Sequence, residues 1–154
     1  MKKAMLLLAV FGLVSLAWAA DPEIGTWKMN PAKTKVTGPA GPPEKSSTVK
    51  IESQGDSVKV TWDAVNAEGE VIHGQFVAKY DGKDYPVTGS PDVDMVSQKK
   101  IDTHTGEYIW KKSGKEVMTE RFVISKDGKT STLTAKGKNA QGQDFTVVTF
   151  WDKQ

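Results

Sequence analysis

The 154-residue chain has no cysteine, one arginine (Arg121) and two histidines (His73 and His104). Without cysteine there are no disulfides, no thiolate nucleophile and no cysteine-based zinc or iron–sulfur site. Two isolated histidines fall short of the convergent ligand set that zinc requires. Asp92 and Asp94 lack the glycine and distal glutamate of a calcium loop, so neither a metal nor a cofactor is expected. An excess of one charge is missing as well. The net charge of +2 is carried by Lys2 and Lys3, and the remaining 135 residues hold 19 basic and 19 acidic side chains. That balance argues against a nucleic-acid partner, which calls for a clustered basic surface. A G-x-S-x-G elbow and a Ser–His–Asp set are also absent. Ser97-Gln98-Lys99-Lys100 matches S-x-x-K, but it lies in strand-like sequence without the S-D-N and K-T-G partners that give the motif meaning. No catalytic residue is assigned, and no enzymatic role is expected.

What is present begins with an address. Met1-Lys2-Lys3 is followed by an apolar run from Ala4 to Leu16, interrupted only by Gly12 and Ser15, and then by Ala17-Trp18-Ala19. This is the basic start, apolar centre and A-x-A site of a secretory signal peptide. The run is shorter than the ~20 residues a membrane span needs. The expectation is therefore a signal peptide at 1–19 and a single domain at 20–154, periplasmic or secreted, with no integral membrane segment after cleavage.

Beyond residue 20 no segment keeps apolar residues at helical spacing for long. Alternation recurs instead, punctuated by turns at Gln54-Gly55-Asp56, Glu68-Gly69-Glu70, Asp81-Gly82-Lys83, Thr105-Gly106-Glu107, Ser113-Gly114-Lys115, Asp127-Gly128-Lys129 and Gln141-Gly142-Gln143. X-Gly pairs of this kind suit tight hairpins. The pattern predicts strands at 25–30, 47–53, 57–65, 70–80, 84–88, 95–102, 107–112, 116–125, 129–138 and 143–152. Residues 31–46, rich in proline, read as a loop with one helical turn at Pro31-Ala32-Lys33. So many long antiparallel strands leave two exposed edges unless the sheet closes. The fold class is all-β, an antiparallel up-and-down meander closed into a barrel of about 8–10 strands, with minimal helix; a two-sheet sandwich is the alternative.

Parity along the strands picks the inner face. Val58, Val60, Trp62 and Ala64 share one side, as do Ile72, Gly74, Phe76, Ala78 and Tyr80, and as do Leu133 and Ala135. Small inward residues beside large rings leave either a cavity or room for a neighbour's ring. The last strand is apolar on both faces, with Phe145, Val147 and Trp151 on one and Val148 and Phe150 on the other, which predicts a covering segment outside the barrel.

The opening strand, Ile24-Gly25-Thr26-Trp27-Lys28-Met29-Asn30, resembles the Gly-x-Trp start shared by lipocalins and fatty-acid-binding proteins, together the calycins. The close, Phe150-Trp151-Asp152-Lys153, is similar to the last strand of the fatty-acid-binding branch. The resemblance implies a lipocalin-like closed barrel with an internal site for an apolar molecule and with Trp27 plugging one end. Two features depart from it. Residues 31–46 are too short and proline-rich for a two-helix lid, and the last strand carries no arginine.

Candidate ligand-binding residues are Trp62, Phe76, Tyr80, Tyr108, Trp110 and Arg121. The rings suit a largely apolar site with a few aimed polar groups. Arg121 enters because one of the neighbours Glu120 and Arg121 must face inward, and an inward guanidinium would grip a carboxylate. Parity leaves that choice open. The expected function is binding of a small apolar or amphipathic ligand by a monomer, with the proline-rich loop at the barrel mouth. The alternative is a cell-envelope interaction or structural module with a filled core and no ligand.

Overall fold

The computed structural model describes residues 21–154; the signal-peptide expectation falls on residues 1–19 and lies outside them. Eleven strands follow one another: β1 (Gly25–Met29), β2 (Lys35–Thr37), β3 (Ser46–Gln54), β4 (Ser57–Val65), β5 (Val71–Ala78), β6 (Tyr85–Thr88), β7 (Met95–Asp102), β8 (Thr105–Lys112), β9 (Lys115–Ile124), β10 (Thr130–Lys138) and β11 (Asp144–Lys153). From β3 to β11 each strand pairs antiparallel with the next. β1 then joins the two ends, with Trp27 opposite Val49 of β3 and Lys153 of β11. The result is a closed ten-strand antiparallel barrel with β2 as an extra strand, and no α-helix occurs among the described residues. Closure leaves the meander without free edges apart from the short β2.

The expected strand boundaries hold to within one or two residues, with two corrections. Residues 31–46 are not all loop. After a 3₁₀ turn at Pro31–Lys33, β2 adds to β11, with Val36 opposite Val147. The turn and β2 run along β11, where Phe150 is half-buried and Lys35 Nζ lies 5.9 Å from its ring centroid. This segment continues the edge that β1 forms along β11, so it extends the wall by strand pairing and does not lie over the outer face as expected. The second correction concerns Gly106, which sits inside β8 rather than in a turn. A Cβ there would come within 2.5 Å of the Phe122 ring, so glycine makes room for that ring. Gly74 does the same for Trp62, whose ring would lie 2.0 Å from an added Cβ.

The wall is weakest at β6, which holds its neighbours through short ladders: Gln75–Phe76 of β5 on one side and Met95–Val96 of β7 on the other. Below the end of β6, buried Gln98 of β7 donates from Nε2 to Ala78 O of β5 at 3.0 Å. That side-chain bond laces β5 to β7 where the ladder stops. The barrel therefore has a sealed end, at the turns following β3, β5, β7 and β9, and an opposite end framed by residues 38–45 and 89–94.

Candidate functional site

The sealed end is closed from inside by the segment leading into β1. Glu23 is 2% exposed. Its Oε1 accepts from the Tyr108 hydroxyl at 2.7 Å, and its Oε2 accepts from the Tyr80 hydroxyl at 2.7 Å. Lys100 Nζ lies 3.3 Å from the same Oε2 and also pairs with Asp21. The Glu23 main-chain carbonyl accepts from Trp27 Nε1 at 2.8 Å, and Lys153 Nζ donates to Pro22 O at 2.8 Å. Burial, followed by the Glu23 charge and hydrogen bond, raises both tyrosine pKa values, so the phenols remain donors. Trp27 thus plugs the barrel as the resemblance implies, but it does so with Glu23 and Lys100, which sequence reasoning missed. A lone acid ahead of the first strand carries no periodic signal.

Above this floor lies a cavity of about 290 Å3. Its wall is aromatic: Trp62, Phe76, Tyr108, Trp110 and Phe122 line it, with Val49, Val60 and Leu133. The rings lock one another at an angle. Trp110 meets Trp62 at 5.8 Å and Phe76 at 5.7 Å between centroids, both at 79°. Such edge-to-face pairs add ~0.5–1.5 kcal/mol each beyond area burial, which favours a preformed wall. Glu44, Ser90 and Asp92 stand at the open end, so the proline-rich loop does reach the mouth.

Of the six candidate ligand residues, four line this cavity: Trp62, Phe76, Tyr108 and Trp110. Tyr80 does not; its hydroxyl is spent on Glu23. Arg121 is corrected outright. It faces outward, 55% exposed at its side chain, and pairs with Glu107 at 3.4 Å. The reason is register. Residues directly opposite in an antiparallel ladder share a face, and Glu120 lies opposite inward Tyr108 on β8 and inward Ala135 on β10. The inward charge is therefore Glu120. A signal for it was present, since Met118, Phe122 and Ile124 share its parity against only Val117 and Val123.

Glu120 accepts from Trp110 Nε1 at 2.9 Å through Oε2. Burial, opposed by that hydrogen bond and aided by the charge of Glu44, raises its pKa from 4.5 to about 7. Glu44 is exposed as a residue, but its carboxyl lines the cavity mouth, where desolvation raises its pKa and a hydrogen bond with Ser47 partly offsets the rise.

The native state thus holds a proton on Glu120 that the unfolded chain gives up. Both forms are protonated below pH 4.5, and the associated stability is lost as pH climbs through about 7. At 1.36 kcal/mol per pKa unit, discounted for water in the cavity, the loss is ~1–3 kcal/mol. Glu120→Gln should therefore outlast the parent in urea at pH 8 by that amount and match it at pH 4. Equal midpoints at pH 8 would show that Glu120 ionises freely.

No protein-family model matches the chain, and no curated protein matches it in sequence. Among solved structures, zebrafish ileal bile acid-binding protein complexed with cholic acid superposes with a TM-score of 0.50 at 17% identity, covering 86% of this chain and 99% of that one. The barrel is a calycin fold. Two further calycin-type structures are similar at lower scores. Lobster apocrustacyanin A1 has 12% identity and a TM-score of 0.47, covering 88% of this chain and 63% of that one. The siderocalin Ex-FABP has 11% identity and a TM-score of 0.38, covering 86% and 74%. Within the calycin architecture, this barrel carries an acid at Glu120 on its inner wall, and its single arginine lies outside.

Proposed function

We propose that the protein is a periplasmic or secreted carrier that binds a small amphipathic molecule inside its calycin barrel, without catalysing its conversion. The observation that carries this reading is the aromatic cavity of about 290 Å3 above a plugged floor. A dry apolar cavity of ~150 Å3 accepts a benzene-sized guest, so this one suits a body about twice as large. Apolar burial at ~25 cal/mol per Å2 supplies affinity, and a few polar groups orient the guest. A core filled for purely structural ends would not leave such a space among rings held in place by their own contacts. The zebrafish protein is complexed with cholic acid, which supports a small-molecule ligand for a barrel of this architecture. The signal-like residues 1–19 support export.

The test is native mass spectrometry of protein purified from its own host, beside Leu133→Trp, which fills the cavity wall. A one-to-one small-molecule adduct on the parent, lost in the variant, is expected, as is a mature chain beginning at Ala20. Bare protein in both cases, with no uptake of apolar probes, would overturn the carrier reading.

A further inference from the structure

The cavity is lined by four acids, Glu23, Glu44, Asp92 and Glu120, and by no lysine, arginine or histidine. Glu23 is neutralised on the floor by Lys100 and two phenols. The other three have no ion-pair partner among the described residues. Outside the barrel, by contrast, acids such as Asp84, Glu107 and Asp144 do have cationic partners.

Glu120 is the acid that matters for a guest. It stands on the aromatic wall, between the floor and the mouth. Its Oε2 is held by Trp110, while its Oε1 accepts no hydrogen bond among the described residues. An acceptor fixed at one oxygen and vacant at the other, inside an apolar enclosure, is an aimed group. An anionic guest would meet like charge on the wall and at the rim with no base to offset it. An ammonium would find an acceptor in Oε1, and the adjacent aromatic faces attract cations by ~0.5–2 kcal/mol. Burying an ammonium is costly unless it is paired, and Glu120 supplies the pair.

Resting on the carrier reading above, we infer that the ligand is a cationic amphiphile, a small primary amine with an aromatic or alkyl body. Its body lies against Trp62, Phe76 and Trp110, and its ammonium sits on Glu120, with Glu44 and Asp92 drawing it in through the mouth. The cavity thus selects by sign of charge as well as by size.

Binding then depends on pH through Glu120. The titratable groups facing it are Tyr108 on β8, Glu44 and Asp92 at the mouth and Glu23 on the floor; Ala135 on β10 adds none. With its pKa at about 7, Glu120 is ionised at pH 8 and protonated at pH 5.5. An alkylammonium keeps its charge across that range, as lysine does.

The experiment is calorimetric titration of the mature protein with matched guests in two series. One is 1-naphthylmethylamine, 1-naphthylmethanol and 1-naphthoate; the other is hexylamine, hexanol and hexanoate. At pH 8 each amine is expected to bind at least tenfold tighter than its alcohol, with no detectable binding of the acid. That preference should fall about tenfold at pH 5.5 and vanish in Glu120→Gln, a variant expected to be more stable than the parent at pH 8. Alcohols or acids binding as well as amines would overturn the charge inference and leave the carrier reading standing. If neither series binds at all, the carrier reading fails with it.

Discussion

Replacing Glu23 with leucine is expected to lower the unfolding free energy by ~3–5 kcal/mol, the usual cost of removing one member of a buried ion pair. Two phenolic hydroxyls and Lys100 converge on this single carboxylate. Leucine would leave both phenols without their acceptor and Lys100 with Asp21 as its remaining partner. Small domains hold ~5–15 kcal/mol in total, so the barrel would sit near its threshold. The melting temperature should drop by roughly 10–20 °C for a chain of this size. Glu23→Gln keeps an acceptor for one phenol and loses only the charge, so it should cost about half as much. Thermal melts of the three proteins check the ranking. A leucine variant melting within a few degrees of the parent would mean that the segment ahead of β1 is not the floor of the barrel.

Trp27→Ala should cost a similar ~3–5 kcal/mol, for a different reason. Trp27 is 4% exposed and packs into the core beside the plug, with Lys153 Nζ 5.1 Å from its ring centroid. Truncation removes a large buried surface and leaves a void that the closed wall resists filling. The ring also holds the plug in place, since its Nε1 donates to the Glu23 carbonyl. Trp27→Phe separates the two contributions. It keeps most of the bulk and gives up one buried hydrogen bond, about 1 kcal/mol net. Urea titrations should place alanine far below phenylalanine, and phenylalanine slightly below the parent. Equal losses for both would shift the weight from packing to the hydrogen bond.

The two closed-end predictions and the Glu120 prediction point in opposite directions, and this follows from what each acid meets. Glu23 is fully partnered, so removing it destabilises. Glu120 has a vacant oxygen facing a cavity, so neutralising it stabilises the empty barrel at pH 8. Groups that cost stability without a structural return are where function is held.

Most of the fold was legible in the chain. Strand length, strand parity and turn positions are local properties, set by apolar alternation and X-Gly pairs, and they emerged with nearly correct boundaries. Closure was legible too, because a long antiparallel meander has few other ways to satisfy its edges, and Gly25-Thr26-Trp27 resembles a calycin start. The short β2 escaped notice because three exposed residues between prolines carry no alternation to read.

The site was legible only in part. The aromatic wall followed from parity, which brought Trp62, Phe76, Tyr108 and Trp110 to one space. The charge inside it did not. On β9 both faces carry apolar residues, three sharing the parity of Glu120 and two that of Arg121, so alternation leans toward Glu120 without settling the choice. The answer belongs to the ladder: Tyr108 and Ala135, more than ten residues away on either side, sit opposite Glu120 and bring it in. Glu23 is further out of reach, since its partners at Tyr80, Lys100 and Tyr108 lie far along the chain and meet it only when the barrel closes. By itself the sequence determined a closed meander with an aromatic interior, because those features are written in neighbouring residues. Whether side chains fill that interior, and which sign of charge it presents, was decided by the tertiary structure, because both depend on which distant residues face one another across the barrel.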